Sequence, residues 1–263
     1  MSNEINTGAP QSARVYDYWL GGKDNFPADR ALGDAIAEQL PTIRTQVRGQ
    51  RAFLGRAVRW LAAEAGIRQF LDIGTGIPSA GNVHEVAQAV APESRVLYVD
   101  NDPIVLAHAR ALRPGADTGA VECILADLRQ PEAILADPAV ARTLDLTRPV
   151  GLVLVGIMHH LRDADDPRRI LATLLDALAS GSYLVLSQTT PDFDPEAMAG
   201  LAAVSEQGGI PNVPRSRADT EPFFAGLELV GPGLVPLAAW RPDPGTDQDP
   251  YGVYAYGGVA RKP

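Results

Sequence analysis

Phe70-Leu71-Asp72-Ile73-Gly74-Thr75-Gly76-Ile77-Pro78-Ser79 is an apolar run that breaks into a glycine turn and continues toward a polar helix start. Glycines directly after a strand let the backbone turn sharply and approach a ligand, with the N-terminus of a helix just beyond. A G-x-G pair alone is weak, so its surroundings decide its meaning. From about Gln69 onward, short apolar runs alternate with helical stretches. The runs are Phe70 to Ile73, Val96 to Val99, Cys123 to Ala126, Val150 to Val155 and Ser182 to Leu186. Helices are expected at about 81–90, 103–112, 131–143 and 168–178, with Pro103, Pro131 and Pro167 at or near first-turn positions. Such alternation implies a parallel, doubly wound α/β sheet, because each parallel crossover needs a helix to carry the chain back.

The C-terminal part differs. LELVGPGLVPL and YGVYAYGGVARK read as two strands joined by the polar loop 241–250, too short for a crossover helix, so they are expected to pair antiparallel. Between the fifth strand and this pair, residues 189–217 read as a polar, Pro- and Gly-rich wall on the substrate side, and Arg217 to Ala225 as a helix capped by Ser216. Before Gln69 lie a ligand-facing loop, YDYWLGGKDNF, and helices at about 28–39 and 42–65. The chain thus divides into an N-terminal lid and helical cap, residues 1–65, and a sheet domain, residues 66–263.

Acidic side chains end successive strands. Asp72 lies in the first, Asp100 closes the second in LYVDND, and Asp127 closes the third in ILADLR. Open α/β sheets bind ligands at the carboxyl ends of their strands, and an acid ending the second strand accepts hydrogen bonds from ribose hydroxyls. A dinucleotide fingerprint wants Gly or Ala at position 79, but Pro78 and Ser79 stand here, which disfavours a pyrophosphate and hence a nicotinamide cofactor. The pattern outlines an adenosine pocket without a pyrophosphate cradle.

With these residues in place, the D-x-G-x-G turn and the acids ending the second and third strands resemble class I S-adenosylmethionine methyltransferases. Their seven-stranded sheet also ends in an antiparallel pair. More narrowly, RVYDYWLGGKDNFPADRA, LDIGTGIPSAGNVHEVAQ, YVDNDPIVLAHARAL and FFAGLELVGPGLV are similar to a bacterial S-adenosyl methyltransferase family long catalogued as a domain of unknown function. The resemblance runs over nearly the whole chain. It implies S-adenosylmethionine as cofactor, with Gly74 and Gly76 under the methionine part, Asp100 on the ribose, Asn101 beside the adenine, and Asp127 with Leu128 on its other side. Pro78 replaces the third glycine of the broader superfamily. The lid would contribute Tyr16 and Asn25, with Lys23 a partner for the methionine carboxylate, and Asn82 with His84 would face the same end from the first turns of their helix. The fourth strand ends in Gly156-Ile-Met-His-His, a position that borders the transferred methyl in such enzymes; the pair reads either as a packing element or as the source of a general base, His159 or His160, with His159 the choice between them.

The acceptor is less legible. Arg44, Arg48, Arg51 and Arg59 run beside an apolar stripe of Val47, Leu54, Val58 and Leu61. They read either as a solvated edge whose stems cover apolar surface or as a clamp for an anionic small-molecule acceptor. A binding protein that senses the cofactor without transfer, and an enzyme using the same cofactor for other chemistry, share this pocket and stay open.

Composition sets the outer limits. The chain has 263 residues, 46% hydrophobic and 21% charged, enough for a full core. Lys plus Arg number 23 against 32 Asp plus Glu, a net charge of −9, which gives no electrostatic footprint for nucleic acid. The first 65 residues are close to neutral, so the acidity belongs to the sheet domain. No apolar stretch approaches the roughly 20 residues that cross a bilayer. The basic start and apolar core of a secretory signal are absent from MSNEINTGAPQSAR, so a cytoplasmic location is expected. The lone Cys123 and the four histidines form no zinc spacing, and no metal is expected.

Overall fold

In the computed structural model, residues 6–111, 119–246 and 249–263 are described. Strand β1 (Gln69–Ile73) is buried along its whole length, as near-continuous apolar strands are when both sheet faces are covered. It pairs in parallel with β2 (Arg95–Asp100) on one side and β4 (Gly151–Leu154) on the other. β3 (Ala120–Leu125) extends the sheet beyond β2, and β5 (Tyr183–Thr189) extends it beyond β4, both in parallel. The strand order reverses between β1 and β4, which places the ligand crevice of such a sheet at their carboxyl ends.

β8 (Ala255–Arg261) runs antiparallel to β5, with Tyr183 opposite Arg261 and Thr189 opposite Ala255. Its other edge carries two short strands, β6 (Glu228–Leu229) and β7 (Val235–Pro236), both antiparallel. The antiparallel pairing therefore stands, but the sheet has eight strands rather than seven. The single strand expected in LELVGPGLVPL is interrupted where Gly231, Pro232 and Gly233 fold back, with the Gly233 amide donating to the Val230 carbonyl at 2.8 Å.

Side-chain alternation along the strands divides two cores. On one face Leu71, Leu97, Leu152 and Leu184 pack with α6 (Pro131–Leu135), α7 (Pro138–Thr143) and α8 (Pro167–Asp176). The helix expected over 131–143 is two helices because Pro138 has no amide hydrogen to continue the first, and the Asp137 carboxylate caps the second by accepting from the Ala139 amide. On the other face Phe70, Val96, Val153 and Val185 pack with α3 (Ile43–Ala63), through Phe53, Ala57, Val58 and Leu61. Asp72 sits in register with this second set. α4 (Val83–Val90) and α5 (Pro103–Ala111) follow β1 and β2; the expected end of α5 at Leu112, and residues 247–248 of the 241–250 loop, lie outside the described residues.

A third apolar cluster caps the sheet. Val15 of α1 (Ser12–Leu20), Leu32 and Ile36 of α2 (Pro27–Gln39), and Met198 and Leu201 of α9 (Pro195–Gln207) meet there. Two expectations change in this region. Residues 16–20 of the anticipated loop are helical, and the turn is confined to Gly21 and the residues after it, with Gly21 closing α1 in the left-handed region. The segment after β5 is likewise not an irregular wall: Pro195 opens a 13-residue helix whose cap is the Asp194 carboxylate. The expected 217–225 helix keeps one turn, α10 (Arg217–Thr220), before Pro222 directs a tighter turn over Glu221–Phe224.

Candidate active site

The carboxyl ends of β1, β2 and β4 floor a cavity of about 270 Å³. Gly74 and Gly76 both hold left-handed backbone, φ +78° and +69°. A Cβ at Gly74 would lie 2.6 Å from the Ile157 side chain, whereas Gly76 has open space where its Cβ would be. Asp100 fixes the turn: its Oδ2 accepts from the Gly76 amide at 2.8 Å and its Oδ1 from the Asp102 amide at 2.9 Å. Burial nevertheless raises its carboxyl to about 6, against the opposing pull of those amides. Burial also raises Asp72 to about 7, with the nearby Arg51 guanidinium opposing and Asp100 adding repulsion. Asp127, at the end of β3, is gripped by Arg129, whose Nε lies 3.0 and 3.1 Å from the two carboxylate oxygens.

Nine of the residues expected at the cofactor line this cavity: Tyr16, Asp72, Gly74, Gly76, Asp100, Asn101, Asp127, Leu128 and Gly156. The others do not. Lys23 is exposed beyond the end of α1, clear of the cavity wall. Asn25 is buried, and its amide donates to Asp17 Oδ2 at 2.8 Å and to the Gly22 carbonyl at 3.1 Å, so it shapes the turn after α1. Pro78 lies past the bend of the glycine turn. Asn82 caps α4: its Oδ1 accepts from the Ser79 amide at 3.1 Å and from Arg51 Nη2 at 3.3 Å, so it acts on the cavity through Arg51. His84 pairs with the Tyr98 hydroxyl at 2.7 Å.

Arg51 is the cation that sequence reasoning left within a row of four. Only α3's placement on the sheet separates it from Arg59, which pairs with Asp243 at the surface at 2.9 Å. Its guanidinium donates to the Ala80 carbonyl at 3.1 Å and lines the cavity. Gln50, Arg129 and the Gly209–Ile210–Pro211 turn after α9 also line it. None carries a local sequence signal, since each reaches the site only through tertiary packing.

The histidine pair divides. His159 borders a second, neighbouring cavity; burial holds its ring well below the usual imidazole range, with His160 and Arg215 adding to the effect, and its Nδ1 is buried without a hydrogen-bond partner. His160 borders both cavities.

The cavity suits S-adenosylmethionine on its own geometry. Open space above Gly76 admits a ligand where any side chain would intrude, Asp100 stands at the end of β2 for a diol, and Asp127 faces the same space one strand further out. When bound, that cofactor supplies an activated methyl on a sulfonium.

Comparison with known proteins agrees with this geometry. The S-adenosyl methyltransferase family model matches residues 1–263. A DUF574 family protein from Streptomyces avermitilis MA-4680 is 46% identical, with a TM-score of 0.95 over 99% of this chain and 100% of that one. A putative methyltransferase from Thermobifida fusca YX is 43% identical, with a TM-score of 0.89 over 97% of this chain and 95% of that one. An O-methyltransferase family 2 protein from Planctomyces limnophilus DSM 3776, solved with apigenin, shares the fold at 16% identity, with a TM-score of 0.52 over 90% of this chain and 66% of that one. No curated protein matches the sequence. No helix among the described residues is long and apolar enough to cross a membrane. The chain belongs to the S-adenosyl methyltransferase family, and S-adenosylmethionine is its cofactor.

Proposed function

We propose that the protein transfers the methyl group of S-adenosylmethionine to a small-molecule acceptor inside the cell, with residues 1–65 forming the lid and cap over the site. The observation that carries the residue roles is the Asp100–Gly76 contact at the strand-order switch, with Asp127 on the adjoining strand end. Asp100 accepts from the ribose hydroxyls; Asn101, Asp127 and Leu128 bound the adenine; Gly74 and Gly76 underlie the methionine part; Gly156 borders the methyl. Arg51 takes the part first assigned to Lys23, pairing with the methionine carboxylate, because its guanidinium lines the cavity beside Asp72. Tyr16, whose hydroxyl donates to the Val47 carbonyl at 2.9 Å, closes the cavity from α1. Transfer from a sulfonium needs alignment more than activation, so positioning and water exclusion by α1 contribute most of what the chain supplies.

The net charge of −9 favours a small molecule over a nucleic acid. Two measurements test the reading. Calorimetric titration should show binding of S-adenosylmethionine and none of NAD; the reverse result ends the assignment. Incubation with methyl-labelled cofactor and a cell extract should place label in the small-molecule fraction. Label confined to nucleic acid or protein would contradict the acceptor class, and no label at all would favour sensing over transfer.

A further inference from the structure

Behind the cofactor cavity lies a second one of about 80 Å³, walled by Val15 and Trp19 of α1, Ile36 of α2, Leu40 just past its end, and Met198 and Leu201 of α9, together with residues of α3, β5 and β8. Among the described residues that line it there is no Asp, Glu, Lys or Arg. The two cavities share Ser12, Tyr16, Gln50, Gly156, His160 and Ile210 as a common wall. The shared polar groups are held from the sheet side: the Ser187 hydroxyl donates to Gln50 Oε1 at 2.7 Å and accepts from the Gly156 amide at 2.9 Å. His160 Nδ1 lies 2.7 Å from the Pro211 carbonyl oxygen. A carbonyl only accepts, so Nδ1 carries the ring proton and the basic lone pair of the neutral ring sits on Nε2.

We propose that this second cavity binds the methyl acceptor, that the acceptor is a small uncharged molecule with an apolar body and a hydroxyl, and that His160 Nε2 removes the hydroxyl proton during transfer. The proposal rests on the methyl-transfer reading of the first cavity. A carboxylate or an ammonium entering the second one would shed its hydration and meet no opposite charge, whereas an apolar body gains by leaving water. As the acceptor oxygen bonds to the methyl carbon, the carbon–sulfur bond breaks with its electron pair remaining on sulfur, which becomes a neutral thioether. The hydroxyl proton moves to His160 Nε2 and is later lost to water. Burial lowers the His160 pKa, the Pro211 carbonyl opposes this and Arg129 adds to it, so the ring is neutral and able to accept a proton at pH 7. The His159 ring, its centroid 4.3 Å away, and Arg129 are the titratable and charged groups facing it.

Three toluenes that differ in their para substituent test the cavity: p-cresol, 4-methylbenzoate and 4-methylbenzylammonium, each titrated calorimetrically into the protein. p-Cresol should bind at least about tenfold more tightly than either ion, and with methyl-labelled cofactor it should yield labelled 4-methylanisole. Leu201→Trp, which fills only the second cavity, should abolish p-cresol binding while leaving the S-adenosylmethionine Kd unchanged. His160→Gln should lower turnover by about 100-fold or more and remove the acid-side limb of the pH profile of kcat measured with S-adenosylmethionine saturating. Equal or tighter binding of either ion, no binding of p-cresol, p-cresol binding that survives Leu201→Trp, or an unaltered pH profile in His160→Gln would overturn the proposal. Loss of the methyl-transfer reading would show separately, as failure of the wild-type protein to bind S-adenosylmethionine or as binding of it with no label reaching any fraction of the cell extract.

Discussion

Asp100 has two tasks that act through the same carboxylate. One lone pair on each oxygen is already given to a backbone amide, Gly76 on Oδ2 and Asp102 on Oδ1, so the group shapes the glycine turn and the start of α5 before any ligand arrives. Asp100 also lines the cavity, where only the ionised form offers two acceptors to a diol. Asp100→Asn keeps the size and one acceptor, so the fold should survive. S-adenosylmethionine should bind about 1–3 kcal/mol more weakly, the scale for a hydrogen bond to a charged group. Because burial raises this carboxyl to about 6, wild-type affinity should fall as the solution is acidified through that pH, and the Asn variant should lack this limb. Calorimetric titration of both proteins between about pH 5 and 8, a window spanning the shifted carboxyl and the ordinary range, reads both effects. An unchanged Kd in the variant would remove Asp100 from the ribose.

α1 is where sequence and structure part most, and the reason is physical. In YDYWLGGKDNF the aromatic and charged residues show no helical period, because the helix buries charge as well as apolar surface. Arg14, fully enclosed, donates from Nε to Asp102 Oδ2 at 3.0 Å and lies 3.7 Å from Asp29, so α1 is held to α2 and to the start of α5 by buried ions. A hydrophobic-period reading cannot register that device. The parallel core, by contrast, was legible from the apolar runs, and the strand-end acids from their place after those runs. Arg51 and His160 were visible only as members of a row and a pair, since packing alone selects which member faces the cavity. Asp102 also presents its amide to Asp100, which couples α1 to the floor of the larger cavity. Arg14→Leu leaves two buried carboxylates without their cation and should cost about 3–5 kcal/mol of stability. S-adenosylmethionine affinity should fall with it, because Ser12 and Tyr16 lose their mount. Thermal unfolding checks the first, calorimetry the second, and hydrogen exchange should show α1 opening ahead of the sheet. A loss of stability with α1 still protected would place the damage elsewhere.

Taken as one molecule, the fold carries buried ionisable groups that drive its pH dependence in opposite directions. Asp72 is raised from 3.8 to about 7 and Asp100 from 3.8 to about 6, so between those values the folded state holds more protons than the unfolded chain. Stability from these groups therefore falls as pH rises from about 4 toward 7. His159 and His160 are lowered by burial, and for them the unfolded chain takes up protons first. Their contribution is lost as pH falls below about 6.5, the free imidazole value. A bare melting curve mixes the two, but one substitution separates them. Asp72 stands on the sheet face that packs with α3, and its charge is offset only by Arg51, a half-buried residue that also serves the Ala80 carbonyl and Asn82. Asp72→Asn removes the charge and keeps the shape. Its melting temperature should match the wild type at about pH 3, below the unfolded carboxyl value, and exceed it by a margin that grows toward about pH 7 and persists at about pH 8, where the wild-type carboxylate is ionised in its buried place. The same variant should bind S-adenosylmethionine more weakly at pH 8, since the buried negative charge that attracts Arg51 to the cavity side is then gone. Greater stability with weaker binding is the pattern of a site whose charges are retained for the ligand; a wild type more stable than the variant at pH 8 would mean that the Asp72–Arg51 attraction outweighs burial.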